Sequence, residues 1–240
     1  MQAESQISSA AENAQKKFLT KVYGWMTFAL FVSGLTSYLS AEIISRILTK
    51  ENAQIIVWAI MILIVVEFVL VSVLSFRIQK MSSKAAAINF VIYSIINGIT
   101  LSTIFFSYSK TVIIYAFLTS ALTFLAMVLY GSITKADLRS YGKYLFMLLS
   151  GIIIASLVHF LLVLITHQSF STFSLIISIA TVVIFTGLTA YDSNKILLAS
   201  QNADDSEMYK KAAVIGALQL YLDFINIFLA LLKIFGKKRN

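Results

Sequence analysis

Three acids stand inside apolar stretches of this 240-residue chain: Glu67 after Ile-Val-Val, Asp192 in Thr-Ala-Tyr-Asp-Ser-Asn-Lys, and Asp223 within the run from Gly216 to Gly236. Even on the lowest scale an acid at the centre of a membrane helix costs about 2.5–3.5 kcal/mol, so each needs a partner, a proton or water. Two bases answer the acids at equal spacing. Arg77 follows Glu67 by ten residues and Lys233 follows Asp223 by ten, which is about 15 Å of helix. In two antiparallel helices Asp223 then lies level with Arg77 and Glu67 level with Lys233. Two ion pairs would clamp them, with long side chains absorbing the roughly 80° by which ten residues rotate the direction. Asp192 can also approach Asp223. Two carboxylates in one site cannot both ionise cheaply, so their titrations couple and one proton is shared. Losing that proton turns a bond into repulsion, and the freed oxygens suit a hard cation such as calcium.

The elements that position these groups are read from hydropathy. With 59% hydrophobic and 12% charged residues, the chain cannot clothe a soluble globule of its size, and its apolar runs of about twenty residues fit spanning helices, not barrel strands. The expected class is all-α and polytopic, with seven spans near 22–41, 55–76, 85–107, 112–133, 145–165, 173–198 and 212–235. Residues 1–21 read as a polar cytosolic tail and 22–240 as one seven-helix transmembrane domain. With no cysteine, a disulfide, a thiolate nucleophile and zinc-cysteine sites are excluded. The net charge of +8 belongs to short loops facing anionic headgroups, so the partner is a lipid bilayer and no nucleic acid is expected.

Orientation follows from those bases. Lys16, Lys17, Lys21, Arg77, Lys80, Lys84, Lys135, Arg139, Lys143, Lys195, Lys210 and Lys211 fall on one side, while Arg46, Lys50 and Lys110 fall on the other. The N-terminus is therefore cytosolic. Seven full crossings would put Lys237, Lys238 and Arg239 outside, against the same rule, unless the last helix is short or re-entrant. That last helix carries a polar stripe of Gly216, Gln219, Asp223, Asn226, Ala230 and Lys233, which belongs inside a bundle rather than against lipid.

Thr189-Ala-Tyr-Asp-Ser-Asn-Lys-Ile196 and Ala217-Leu-Gln-Leu-Tyr-Leu-Asp-Phe-Ile-Asn-Ile-Phe-Leu-Ala-Leu-Leu-Lys233 resemble the last two helices of the Bax-inhibitor family, and the short loops resemble a bacterial member. The resemblance implies six helices surrounding a central C-terminal seventh, a bacterial plasma (inner) membrane location, and a pH-sensitive calcium leak without a cofactor, calcium being the permeant ion. It implies that Asp192 and Asp223 are the pH sensor on the cation path, touching calcium transiently. Arg77, with Lys80 as an alternative, resembles the arginine near that pair. Glu67 resembles the acid that pairs with a last-helix base, here Lys233 instead of arginine, a point charge without the bidentate fork.

Two rivals come from other classes. A membrane interaction protein that modulates a membrane protease or another membrane partner would use surface helices and the Ser-rich tail. An intramembrane aspartyl protease would use the two aspartates to activate water, but the second aspartate has no Gly-x-Gly-Asp context and the chain has no proline. The chain is therefore read as a non-enzyme.

Overall fold

The computed structural model describes residues 2–49, 51–134, 136–168, 170–204 and 206–236, with side chains from residue 12 onward. Lys50, Lys135 and the basic Lys237, Lys238 and Arg239 lie outside the described residues. The helices are α1 (Gln2–Ile47), α2 (Ala53–Arg77), α3 (Ser83–Leu101), the single turn α4 (Ile104–Ser107), α5 (Lys110–Ile133), α6 (Gly142–Thr166), α7 (Ser171–Ser200) and α8 (Glu207–Phe235). With α4 completing the third span, seven segments are long and apolar enough to cross a membrane. The chain is an all-helical polytopic membrane protein.

Helix ends extend beyond the hydropathic windows. The polar residues before 22 continue α1 as helix, because Ala, Glu, Gln and Lys are good helix formers that a hydropathy scale passes over. α8 is one continuous helix of 29 residues, about 44 Å long at 1.5 Å per residue. It is neither short nor broken, so length gives no support to a re-entrant last segment.

Contacts gather the chain into two compact units. The first comprises residues 1–107 and 199–221, and the second 108–198 and 222–240. In the first, α1 presents Phe18, Val22, Met26, Ala29, Ser33 and Ser37 as a buried stripe, the spacing of one helical face. α3 packs on it. Gly98 permits the approach, since a Cβ there would overlap Thr36 Oγ1 and lie 2.7 Å from the Ser33 carbonyl oxygen. Small residues at such crossings let membrane helices meet backbone to backbone, where apolar burial gives no advantage over lipid. Tyr221, at the end of this unit's share of α8, is fully buried, edge-on to Phe90 and Tyr93 at 5.7 and 5.8 Å. The start of α3 is capped by Ser82, which accepts from Ala85 N. Glu207 also accepts there, from Ser83 N at 3.0 Å and Ser83 Oγ at 3.1 Å, a carboxylate on the positive end of a helix.

In the second unit α5, α6, α7 and the end of α8 associate. A Cβ at Gly131 would overlap the Ala190 carbonyl oxygen, and one at Gly142 would press on the Tyr191 ring at 2.7 Å. Phe224 is ringed by Phe117 and Phe124 of α5, at 5.6 and 5.8 Å. Asn194 of α7 donates Nδ2 to the Gly131 carbonyl at 3.0 Å, satisfying an acceptor in the last turn of α5 that its own helix leaves free.

α8 is the buried span, with 72% of its most apolar window buried against none for α2 and α6. It is not wrapped on one stripe alone. Leu218, Leu220, Ile225, Ile227 and Leu232 are buried around its circumference together with Gly216 and Asp223. Helices α2 and α6 instead carry large exposed apolar side chains such as Phe68, Phe76 and Ile165, the surface that faces acyl chains in a bilayer.

Candidate functional site

The second unit holds the two aspartates. Asp192 sits on α7 and Asp223 on α8, 6% and 4% exposed. Each lies in the other's electrostatic reach, and Asp223 also rests against the Thr189 hydroxyl. Thr189 precedes Asp192 by three residues, so both project from one face of α7 toward α8. The Thr189 hydroxyl also donates to its own helix at Phe185 O, 2.8 Å away. Phe224 and its aromatic neighbours make the surroundings of Asp223 apolar. Asp192 Oδ1, Ser193 Oγ, Asn194 Oδ1 and Asp223 Oδ2 are buried without a hydrogen-bond partner among the described residues. Buried polar atoms are nearly always partnered; Asp192 Oδ1 and Asp223 Oδ2 are the orphans that can share one site, since Ser193 and Asn194 turn about 100° and 200° away from Asp192 around α7. Among the described residues no three His, Cys, Asp or Glu side chains gather into a metal cluster.

The first unit holds Glu67, which is half-buried. Its partners lie on α3: Thr100 Oγ1 is 2.6 Å from Oε1 and Asn97 Nδ2 is 3.2 Å from Oε2. The hydrogen bonds continue inward. Tyr221 OH lies 2.7 Å from Asn97 Oδ1 and 2.7 Å from Ser33 Oγ, and Ser33 Oγ donates to Ser94 O at 2.7 Å. The ten-residue spacing of acids and bases does not predict this hydrogen-bonded chain. Its signal was present, since Asn97 and Thr100 give α3 a polar side, but hydropathy alone reads such residues as general interhelical glue.

Arg77 closes α2 and is exposed, followed by a 3-10 turn, Ile78–Lys80. Lys233 is exposed in the last turn of α8. Of the sequence-derived candidates, Asp192 and Asp223 are therefore brought together, and Glu67 meets α3. Thr189, Asn194 and Tyr221 join the candidates on geometry, each standing inside or beside the sequence segments that carried the resemblance. His159 of α6 packs against Phe173 with ring centroids 5.6 Å apart, and its Nε2 is another buried atom without a hydrogen-bond partner among the described residues.

Seven spans, short connections and two acids facing each other on the last two helices define a polytopic membrane protein built around buried carboxyl groups rather than around a soluble catalytic domain. Residues 15–240 match the family described as Inhibitor of apoptosis-promoting Bax1, and the chain belongs to that family. It is 39% identical over 226 residues to the inner membrane protein YbhL of Escherichia coli, covering 92% of each chain. It is 42% identical over 229 residues to an uncharacterised protein of Borreliella burgdorferi, covering 94% of each. An uncharacterised membrane protein of Streptococcus pyogenes is 36% identical over 235 residues, with 96% of this chain and 97% of the relative covered.

Proposed function

We propose that this Bax-inhibitor-family membrane protein is a pH-sensitive calcium leak whose sensor is the Asp192 and Asp223 pair. The observation that carries the reading is the burial, on facing helices, of two carboxyl groups within each other's electrostatic reach, each with an orphaned oxygen. A shared proton links α7 to α8 through that pair. As pH rises the proton leaves, the two charges repel, and the helices part over oxygens that attract a divalent cation. The oxygens at hand are the two carboxyls and the Thr189 hydroxyl, short of the roughly six to eight that a calcium ion takes. This fits passage, with water completing the shell, better than residence.

Calcium is cargo and no cofactor takes part. The membrane is the bacterial inner membrane, as the name of the Escherichia coli relative suggests, with the N-terminus cytosolic by the distribution of basic residues.

The test is calcium flux from liposomes holding the purified protein, compared across mildly acidic to mildly alkaline pH for the native chain, Asp192→Asn and Asp223→Asn. Flux that rises with pH in the native protein, and loses its pH dependence in either variant, supports the leak. A native protein passing no calcium at any pH overturns it and turns attention to the interaction-protein reading. Cleavage of a membrane peptide that either variant abolishes would revive the protease.

A further inference from the structure

The chain of hydrogen bonds through Glu67 contains more contacts than protons, if the acid is ionised. Thr100 Oγ1 faces two acceptors, Glu67 Oε1 at 2.6 Å and its own helix at Asn97 O, 2.9 Å. A hydroxyl carries one proton and can serve only one of them. At the other end the same shortage recurs. Ser33 Oγ faces Ser94 O and Tyr221 OH, and Tyr221 OH faces Ser33 Oγ and Asn97 Oδ1. Two hydroxyl protons must there serve three contacts of 2.7 Å each.

A proton on the carboxyl removes one of these conflicts. Placed on Oε1, it donates to Thr100 and frees the Thr100 proton for Asn97 O. Placed on Oε2, it donates to Asn97 once that side-chain amide is turned so that its oxygen faces Glu67. The turned amide fills the same space, because its oxygen and NH₂ ends are nearly alike in size and exchange only acceptor for donor. Asn97 Nδ2 then donates to Tyr221, Tyr221 to Ser33, and Ser33 to Ser94 O, so every contact from Glu67 to Ser94 has its proton. An ionised carboxylate allows neither arrangement.

We infer that Glu67 is a second proton-binding site of this protein, independent of the aspartate pair, and that Asn97, Tyr221 and Ser33 form a hydrogen-bond relay from it across four helices of the first unit. The relay runs from α2 to α3, to α8, to α1 and back to α3, so one bound proton orders the polar contacts that join these helices. The titratable side chains that feel the Glu67 charge within this unit are Tyr93 of α3 and Tyr221 of α8. The bases on its own helix and on the elements packed against it are distant along the chain. Arg77 is about 15 Å away along α2, Lys80 lies beyond it in the turn, and Lys84 lies about 20 Å from Asn97 at the start of α3. The proton site stands whether or not the protein leaks calcium.

The test is infrared difference spectroscopy of the full chain in liposomes at neutral pH, native minus Glu67→Gln. The subtraction removes the carboxyl bands of Asp192 and Asp223. A protonated-carboxyl C=O band present in the native protein, absent from Glu67→Gln and shifted by exchange into D2O is expected. Tyr221→Phe should retain the band and move its position, because the amide that faces Glu67 loses its other partner. Absence of the band at neutral pH overturns the inference. So does failure of Glu67→Gln to fold, because Gln reproduces the one-donor, one-acceptor pattern of a protonated carboxyl, whereas its N–H₂ would collide with the donors that surround an ionised one.

Discussion

The two units of this protein place acids in membrane helices under opposite conditions. Glu67 in the first is held by Thr100 and Asn97, so both its oxygens have partners from a neighbouring helix. Asp192 and Asp223 in the second face each other, and one oxygen of each is orphaned. Membrane burial is costly in both cases, but the compensation differs. A partnered acid ties helices together, whereas a facing pair with orphaned oxygens leaves room for a further partner, which the proposed function takes to be a proton or a calcium ion. Family membership and membrane embedding say nothing of this difference, which comes from the side chains opposite each acid.

Substitutions sharpen the contrast, beginning with the aspartates. Asp223→Asn should abolish the pH dependence of calcium flux altogether, because Asn and the remaining carboxyl form a hydrogen bond at any pH, and liposome flux is the measurement. A pH profile that persists in this variant would erase the distinction between the units. Gly131→Ala comes next. Its new methyl group meets a backbone oxygen of α7 beside the segment that carries Asp192, and overpacking of this kind costs about 1–3 kcal/mol. The thermal midpoint in detergent should fall, and the flux profile should shift with it as α7 is displaced.

Tyr221→Phe should cost about 1 kcal/mol, the usual net worth of a hydrogen bond, read from the same midpoint. The hydroxyl it removes accepts from Asn97 and donates to Ser33 in a relay that the Glu67 proton completes, so no loss at all would count against that relay. Ser82→Ala should be the smallest, roughly 0.5–1 kcal/mol for a lost N-cap, with no change in flux, since it touches neither acid site.

The sequence made the second unit more legible than the first. Asp192 stands in a polar run of α7 and Asp223 on the polar stripe of α8, so burial of that stripe and proximity of the two acids could be argued from pattern and order along the chain. Glu67 could not be placed in the same way. α2 is apolar on every side, so no amphipathic face announces which way its acid points, and spacing alone suggested a basic partner for it. What fixes its surroundings is the rotation of α2 about its axis against α3, and that rotation brings Asn97 and Thr100 to the carboxyl. The seven spans were legible because membrane thickness sets helix length. The extension of α1 to Gln2 was not, because helix propensity in a polar segment leaves no hydropathic trace.

Competition between a proton and calcium at the aspartate pair is the claim on which the functional account depends, and it can be read without any flux. Calcium is added to purified protein in weakly buffered solution at neutral pH, and released protons are counted with an indicator dye. About one proton per chain should appear, should vanish in Asp192→Asn and in Asp223→Asn, and should persist in Ser82→Ala. Calcium addition that releases no proton from the native protein, or an equal number from the aspartate variants, would contradict it.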